Sequence, residues 1–341
     1  MPIGYVLRRL ALALPVLAGV ITIAFFATIA APGDPLAGLL PENPTPEQYA
    51  QAQREFGLDQ TPAQQWMRYL ERTATGDLGR SLRTRRAVVD DIRVAGVATL
   101  ELALVAFVMT STIGVALGVL SAVRSGRLLD KVIGVISLGG VAAPIFWTAI
   151  IVQLVFYASL HWLPAGGRID DLILLLSPFP TRTGSYLIDS VLALNGPAFV
   201  SVLAHLLLPA VVLAYRAMAL VIRVTRSAML DTLFAPYIQT ARAFGARERR
   251  VVLLHAFRNA LPPILTVLGL AFGELLTGSL LVESVFGWPG LGLYTFQSIV
   301  ALDYPGIIGV SLAITTIYVV VNLLVDLAYP LADPRLRATA R

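Results

Sequence analysis

Six long apolar intervals divide this chain, and polar residues gather between them. Residues 10–33, 132–167 and 304–325 hold no Asp, Glu, Lys or Arg, while 94–123 holds only Glu101, 190–222 only Arg216 and 259–282 only Glu274. A hydrocarbon layer of ~30 Å takes about 20 helical residues, so every interval is long enough to cross it. The pattern predicts an all-α polytopic membrane protein with six transmembrane helices. Arg8 and Arg9 before the first interval resemble the start of a signal peptide. The apolar run is much longer than the roughly 7–15 residues of such a peptide, and no convincing small-x-small cleavage site follows, so it reads as a true span.

The polar connections supply an orientation. With the N-terminus inside, the predicted cytoplasmic segments carry 15 Lys and Arg, whereas the short outer ones carry two, Arg168 and Arg182. Basic residues favour the cytoplasmic side, which predicts that both termini lie inside. The chain divides into 1–31 (N-terminus and first span), 32–93 (outer segment), 94–331 (membrane core) and 332–341 (tail). The core includes an outer segment at 161–198 and an inner loop at 223–258.

Segment 32–93 carries its own folding signals. Thr45-Pro46-Glu47-Gln48 and Thr61-Pro62-Ala63-Gln64 each read as an N-cap, a first-position proline and a capping-box glutamine. Gly57 and Gly76 then predict the ends of two short helices. In 161–198 the apolar patch 172–176 is too short to span, and is expected to pack on the domain or lie at the interface.

Loop 237–258, YIQTARAFGARERRVVLLHAFR, lies between two spans. Small residues Thr240, Ala241 and Ala243 precede Gly245, a helix former's pattern ending at a residue that permits a left-handed turn. A second helical run follows from Arg247, with Leu253, Ala256 and Phe257 on one side. Such a helix–glycine–helix elbow suits either a groove on a cytoplasmic partner or the surface of an anionic membrane.

Composition narrows the chemistry. Charged residues make up 14% of the chain, against about 25% in soluble domains. The chain has no cysteine, which excludes disulfides and thiolate chemistry. His161, His205 and His255 are far apart in sequence, which argues against a metal site, and no phosphate-binding G-x-x-x-x-G-K-[ST] is present. Nor is there a G-x-S-x-G elbow. Three ionisable residues fall inside spans, where each costs roughly 2.5–3.5 kcal/mol on insertion scales. Glu101 reads equally as a carboxylate near the outer interface or a group in a transport path. Arg216, about 10 Å along the helix from Arg223, reads as snorkelling to the inner boundary. Glu274 is deeper, and either faces a cavity or bonds a neighbouring helix. Phe286 and Trp288 sit in the Gly- and Pro-punctuated stretch 284–292, where an interfacial aromatic anchor is one reading.

The loop resembles the EAA loop of ABC-importer permeases, in the variant of the dipeptide/oligopeptide/nickel permeases. Gln239, Thr240 and Ala241 stand where the wider family has Glu-Ala-Ala, and Gly245 takes the place of its glycine. The wider motif's later Ile and Pro are His255 and Arg258 here, and the following RNALPP resembles the peptide subfamily. APGDPLAG at 31–38, TGDLGRSL at 75–82, VESVFGWPGLG at 282–292, ALDYPG at 301–306 and the terminal LADPRLR extend the resemblance almost end to end.

That resemblance implies a type I importer permease fold with a helical external insertion after the first span, in a bacterial cytoplasmic membrane. It implies a subunit that binds no cofactor and no nucleic acid. ATP and magnesium belong to two partner ATPase subunits, or one fused ATPase. A homologous second permease, an external substrate-binding protein, membrane lipid and a peptide-like substrate complete the partners. Gln239, Thr240, Ala241, Arg242, Ala243, Gly245 and Arg249 are the expected ATPase-coupling residues. Glu101 and Glu274 are candidates for the translocation path. Phe286, Trp288, Pro289 and Gly290 are candidates for the external mouth or receptor contact. Dipeptides, longer peptides, nickel complexes and glutathione all remain open as substrates. Two rival classes are a proton-coupled transporter using Glu101 and Glu274, and an intramembrane enzyme.

Overall fold

The computed structural model describes residues 3–30, 36, 40, 44–56 and 58–332. The motif at 31–38 falls almost wholly outside them, as do Gly57 and the end of LADPRLR with the tail. Among the described residues the chain is helical, with one isolated bridge between Arg80 and Ala87.

Helix α1 runs Ile3–Ala30 and lies along the last helix. Two short helices follow, α2 (Pro46–Phe56) and α3 (Pro62–Ala74). Both predicted capping boxes form. The backbone N–H of Gln48 donates to Thr45 Oγ1 at 3.2 Å and that of Thr45 to Gln48 Oε1 at 2.9 Å; Thr61 and Gln64 repeat the exchange at 3.4 and 3.1 Å. At the end of α3, Gly76 turns left-handed and the Asp77 N–H reaches back to the Arg72 carbonyl at 2.9 Å. Trp66 on α3 donates its indole N–H to Thr22 Oγ1 of α1 at 3.2 Å, docking this segment on the first helix.

The core is built from α4 (Val88–Val123), the pair α5 (Leu128–Ala142) and α6 (Ile145–Ser159), then α9 (Gly196–Leu233), α11 (Glu248–Phe286) and α13 (Tyr304–Ala332). Between them lie α7 (Asp171–Leu176), α8 (Tyr186–Leu192), α10 (Pro236–Ala243) and α12 (Leu291–Val300). Helix α9 is the central post. Leu206, Leu213 and Val221 pack with Leu102 of α4, Ala149 of α6 and Leu275 of α11. Close approach is set by small residues: a Cβ added at Gly118 would lie 2.6 Å from Thr225, and one at Gly140 would lie 2.8 Å from the Tyr215 carbonyl.

By length and composition, four described helices can cross a membrane, and the bent pair α5–α6 makes a fifth. The apolar interval 132–167 is therefore not the single straight span that its composition predicts; it bends by 108°. Pro144 is the cause. It lacks an N–H, and the residue before it, Ala143, takes an extended conformation that ends α5. Helices α9 and α11 also overrun their apolar intervals on the side of the 223–258 loop, carrying 223–233 and 248–258 as helix. Residues 234–247 join these two extensions and carry the short helix α10.

Candidate functional site

The elbow begins where α9 stops at Leu233. Pro236, at the first position of α10, has the fixed φ a helix start requires. Ile238 is fully buried against Met229, Leu233, Val251 and Ala256, so one side chain pins α10 to the ends of α9 and α11. At its other end Gly245 adopts φ +77°. Its N–H donates to the Arg242 carbonyl at 2.9 Å, and the Ala246 N–H donates to the Ala241 carbonyl at 3.1 Å. This is a Schellman closure, which satisfies two carbonyls that a helix end otherwise leaves open.

Arg242 and Glu248 bridge the turn, with Nη2 2.6 Å from Oε1 and Nε 3.1 Å from Oε2. The carboxylate raises the affinity of Arg242 for its proton, chiefly through these hydrogen bonds. Gln239, Thr240, Arg242, Ala243, Gly245 and Arg249 are exposed, Ala241 is half-buried, and Phe244 is 88% exposed at the apex. A Cβ added at Gly245 would meet nothing within 4 Å. The elbow thus offers a small-residue face and one uncovered aromatic ring to whatever docks on it.

A second lock steadies this end. Arg226 of α9 grips Asp130 of α5 through Nε and Nη2, each at 2.8 Å, while Ser121 and the Gly126 N–H donate to the same carboxylate at 2.5 and 2.9 Å. The α4–α5 turn is thereby fixed to the post from which the elbow hangs.

The opposite end is a corner built from Ala98 and Thr99 of α4 and the motif at 282–292. Helix α11 ends at Phe286, and the chain turns at Gly287 into Trp288-Pro289-Gly290 and α12. Glu283 is fully buried and caps α12, accepting the N–H of Gly292 at 2.6 Å and of Leu293 at 3.1 Å. Thr99 of α4 donates to the same carboxylate at 2.8 Å, and Trp288 donates its indole N–H to the Ala98 carbonyl at 2.9 Å. Phe286, Trp288 and Gly290 are buried and Pro289 is exposed. The first three close the corner from within, so direct contact with a receptor is a role the geometry leaves to Pro289.

Glu101 sits in the same region, buried and ion-paired with Arg168. It accepts from Ser185 Oγ and from the Leu187 N–H, each at 2.7 Å, and Arg168 stacks on the Tyr186 ring, 4.0 Å from its centroid. Glu101 thus brackets segment 161–198 onto α4, and its carboxylate is spent on that segment. Glu274 is elsewhere, on α11, where it pairs with Arg216 of α9 at 2.8 Å. Arg216 therefore does not simply snorkel to the inner boundary; it has a partner at its own depth. The two candidate path carboxylates are not brought together.

Sequence reading missed Glu283, Arg168, Asp130 with Arg226, and Asp303. Asp303 accepts from Ser81 Oγ at 2.5 Å and the Leu82 N–H at 2.9 Å, joining the motif at 75–82 to that at 301–306. The signal for Glu283 was present: a carboxylate placed before Gly-Leu-Gly, at the start of a new helix, is a capping group.

Comparisons with known proteins give the chain a family. The family model described as binding-protein-dependent transport system inner membrane component matches residues 114–338, and the N-terminal model of the same systems matches 2–102. The chain belongs to this permease family. A protein named "Probable D,D-dipeptide transport system permease protein" in Escherichia coli K12 is 43% identical, with 94% of each chain covered. A di/tripeptide transport system permease of Pseudomonas aeruginosa is 40% identical over 98% of this chain and 99% of its own. A dipeptide transport system permease of E. coli K12 is 39% identical over 98% of both. Family membership makes this chain a multi-pass inner-membrane permease subunit of a binding-protein-dependent ABC importer, not an enzyme and not a self-powered secondary transporter.

Proposed function

We propose that this permease forms half of the translocation path of an ATP-driven importer of di- or oligopeptides or related small solutes. A homologous second permease supplies the other half, and an external binding protein delivers the substrate. Two ATPase subunits, or one fused ATPase, bind ATP and magnesium and engage the elbow at 236–250. In this reading α1 supplies a sixth crossing, both termini are cytoplasmic, and residues 32–93 and 161–198 are external.

The elbow carries the proposal. A short helix pinned by one buried side chain, Ile238, and closed by a left-handed glycine transmits force between its exposed face and the helices α9 and α11 that hold it. The peptide assignment draws its support from the transport named for the relatives. Receptor-dependent uptake by the purified complex in proteoliposomes tests it. Labelled di- and tripeptides should accumulate only with receptor and ATP present. Failure of every peptide, in a complex whose ATPase still responds to its loaded receptor, would move the substrate class elsewhere.

A further inference from the structure

Arg216 and Glu274 are the sole charged residues of intervals 190–222 and 259–282, and they meet. Guanidinium Nε lies 2.8 Å from carboxylate Oε1, and the side chains are 48% and 35% exposed. Arg216 is about 10 Å along the helix from Arg223, well within the apolar layer. Among the described residues neither side chain makes a further hydrogen bond, so the terminal guanidinium nitrogens and Oε2 are uncommitted. Thr266, Leu270, Glu274, Thr277 and Leu281 follow one another at three- and four-residue spacing on the uncovered side of α11. A half-polar stripe with an open ion pair is ill suited to hydrocarbon, where exposed charge is unfavourable.

From this geometry we propose that Arg216 and Glu274 form a paired-charge site facing the translocation path, for a solute that carries a carboxylate and an ammonium close together. A zwitterionic short peptide is that solute. This rests on the reading of the chain as half of a peptide path. The peptide carboxylate takes the free guanidinium nitrogens, and its ammonium takes Oε2. Because the empty pair is neutral, it holds no lone ion, and contact with a zwitterion stays weak enough for release, as conduction requires. An extended chain separates its termini by ~3.5 Å per residue, so di- and tripeptides engage both charges together while longer ones engage one at a time.

The test uses the full complex, made cysteine-free, with Thr277→Cys one helical turn from Glu274. Cationic and anionic methanethiosulfonates report whether water reaches this face. Dialanine, uncharged N-acetyl-dialanine amide, and the same pair in a Glu274→Gln background report what occupies it. The site predicts ready modification, slowed by dialanine but not by the amide. It also predicts that Glu274→Gln weakens dialanine protection by about tenfold, the scale of one charge-assisted hydrogen bond. No modification by either reagent means that lipid or the second permease covers the face, and overturns the proposal. Modification that dialanine leaves unchanged overturns it equally. ATPase stimulation by peptide-loaded receptor is measured on the same samples. If stimulation is present and protection absent, only the paired-charge site fails; if no peptide-loaded receptor stimulates, the peptide reading itself fails.

Discussion

The guanidinium of Arg168 lies against the carboxylate of Glu101, and the two side chains are only 7% and 2% exposed. Removing one partner of such a buried pair leaves the other charge without compensation, at a cost of about 3–5 kcal/mol. Arg168→Met should therefore lower the melting temperature of the solubilised complex strongly, and adding Glu101→Gln should recover part of the loss. A single variant that melts like the parent would show that the pair does not anchor segment 161–198.

Asp189 holds the same segment from within. It accepts the N–H groups of Thr183 and Gly184, each at 3.0 Å, and the Thr183 hydroxyl at 2.9 Å. Burial pushes its acidity the other way, but these donors prevail and keep the carboxyl below its usual range. A depressed folded-state value contributes stability above the unfolded carboxylate value, lost only as pH falls through the folded one. Protease resistance of 161–198 should thus stay flat from neutral pH down to about pH 5. Asp189→Asn should reduce it throughout. A parent segment that loosens between neutrality and pH 5 would contradict the assignment.

Gly290 is confined by its neighbours. An added Cβ would lie 2.5 Å from Glu283 Oε2 and 2.5 Å from Thr99 Oγ1, both inside the corner. Gly290→Ala should cost roughly 1–3 kcal/mol, the usual range for overpacking. Thermal unfolding of the variant complex measures it, and an unchanged midpoint would mean the corner yields freely.

The absence of cysteine makes topology directly measurable. With residues 32–93 outside, Ala50→Cys should react with an impermeant thiol reagent in intact cells, and Ala246→Cys should not. The reverse pattern would overturn the orientation.

Much of this architecture was legible because membrane burial writes long apolar runs and helix ends use few residue types. The boxes at Thr45 and Thr61 and the turn at Gly245 formed as their local chemistry requires. The break at Pro144 was missed, because an apolar count treats 132–167 as one span and gives no weight to a single proline. Pairings across the fold were not legible either. Nothing local at Glu101 announces Arg168, 67 residues later, and nothing at Arg216 announces Glu274, 58 residues away. Each charge could be flagged as costly, but its partner depends on which helices become neighbours.

The elbow makes the central claim, and Gly245 is where it is most exposed to test. A β-branched side chain at φ +77° is strained by about 1–2 kcal/mol, yet its Cβ meets nothing in this chain. Asparagine tolerates the left-handed turn better. The decisive measurement is ATPase turnover stimulated by loaded receptor, in assembled complexes carrying Gly245→Val or Gly245→Asn. The account predicts that both insert and co-purify normally, that valine abolishes stimulation and uptake, and that asparagine retains more of each. Undiminished stimulation in an assembled Gly245→Val complex would contradict the assignment of 236–250 as the coupling element.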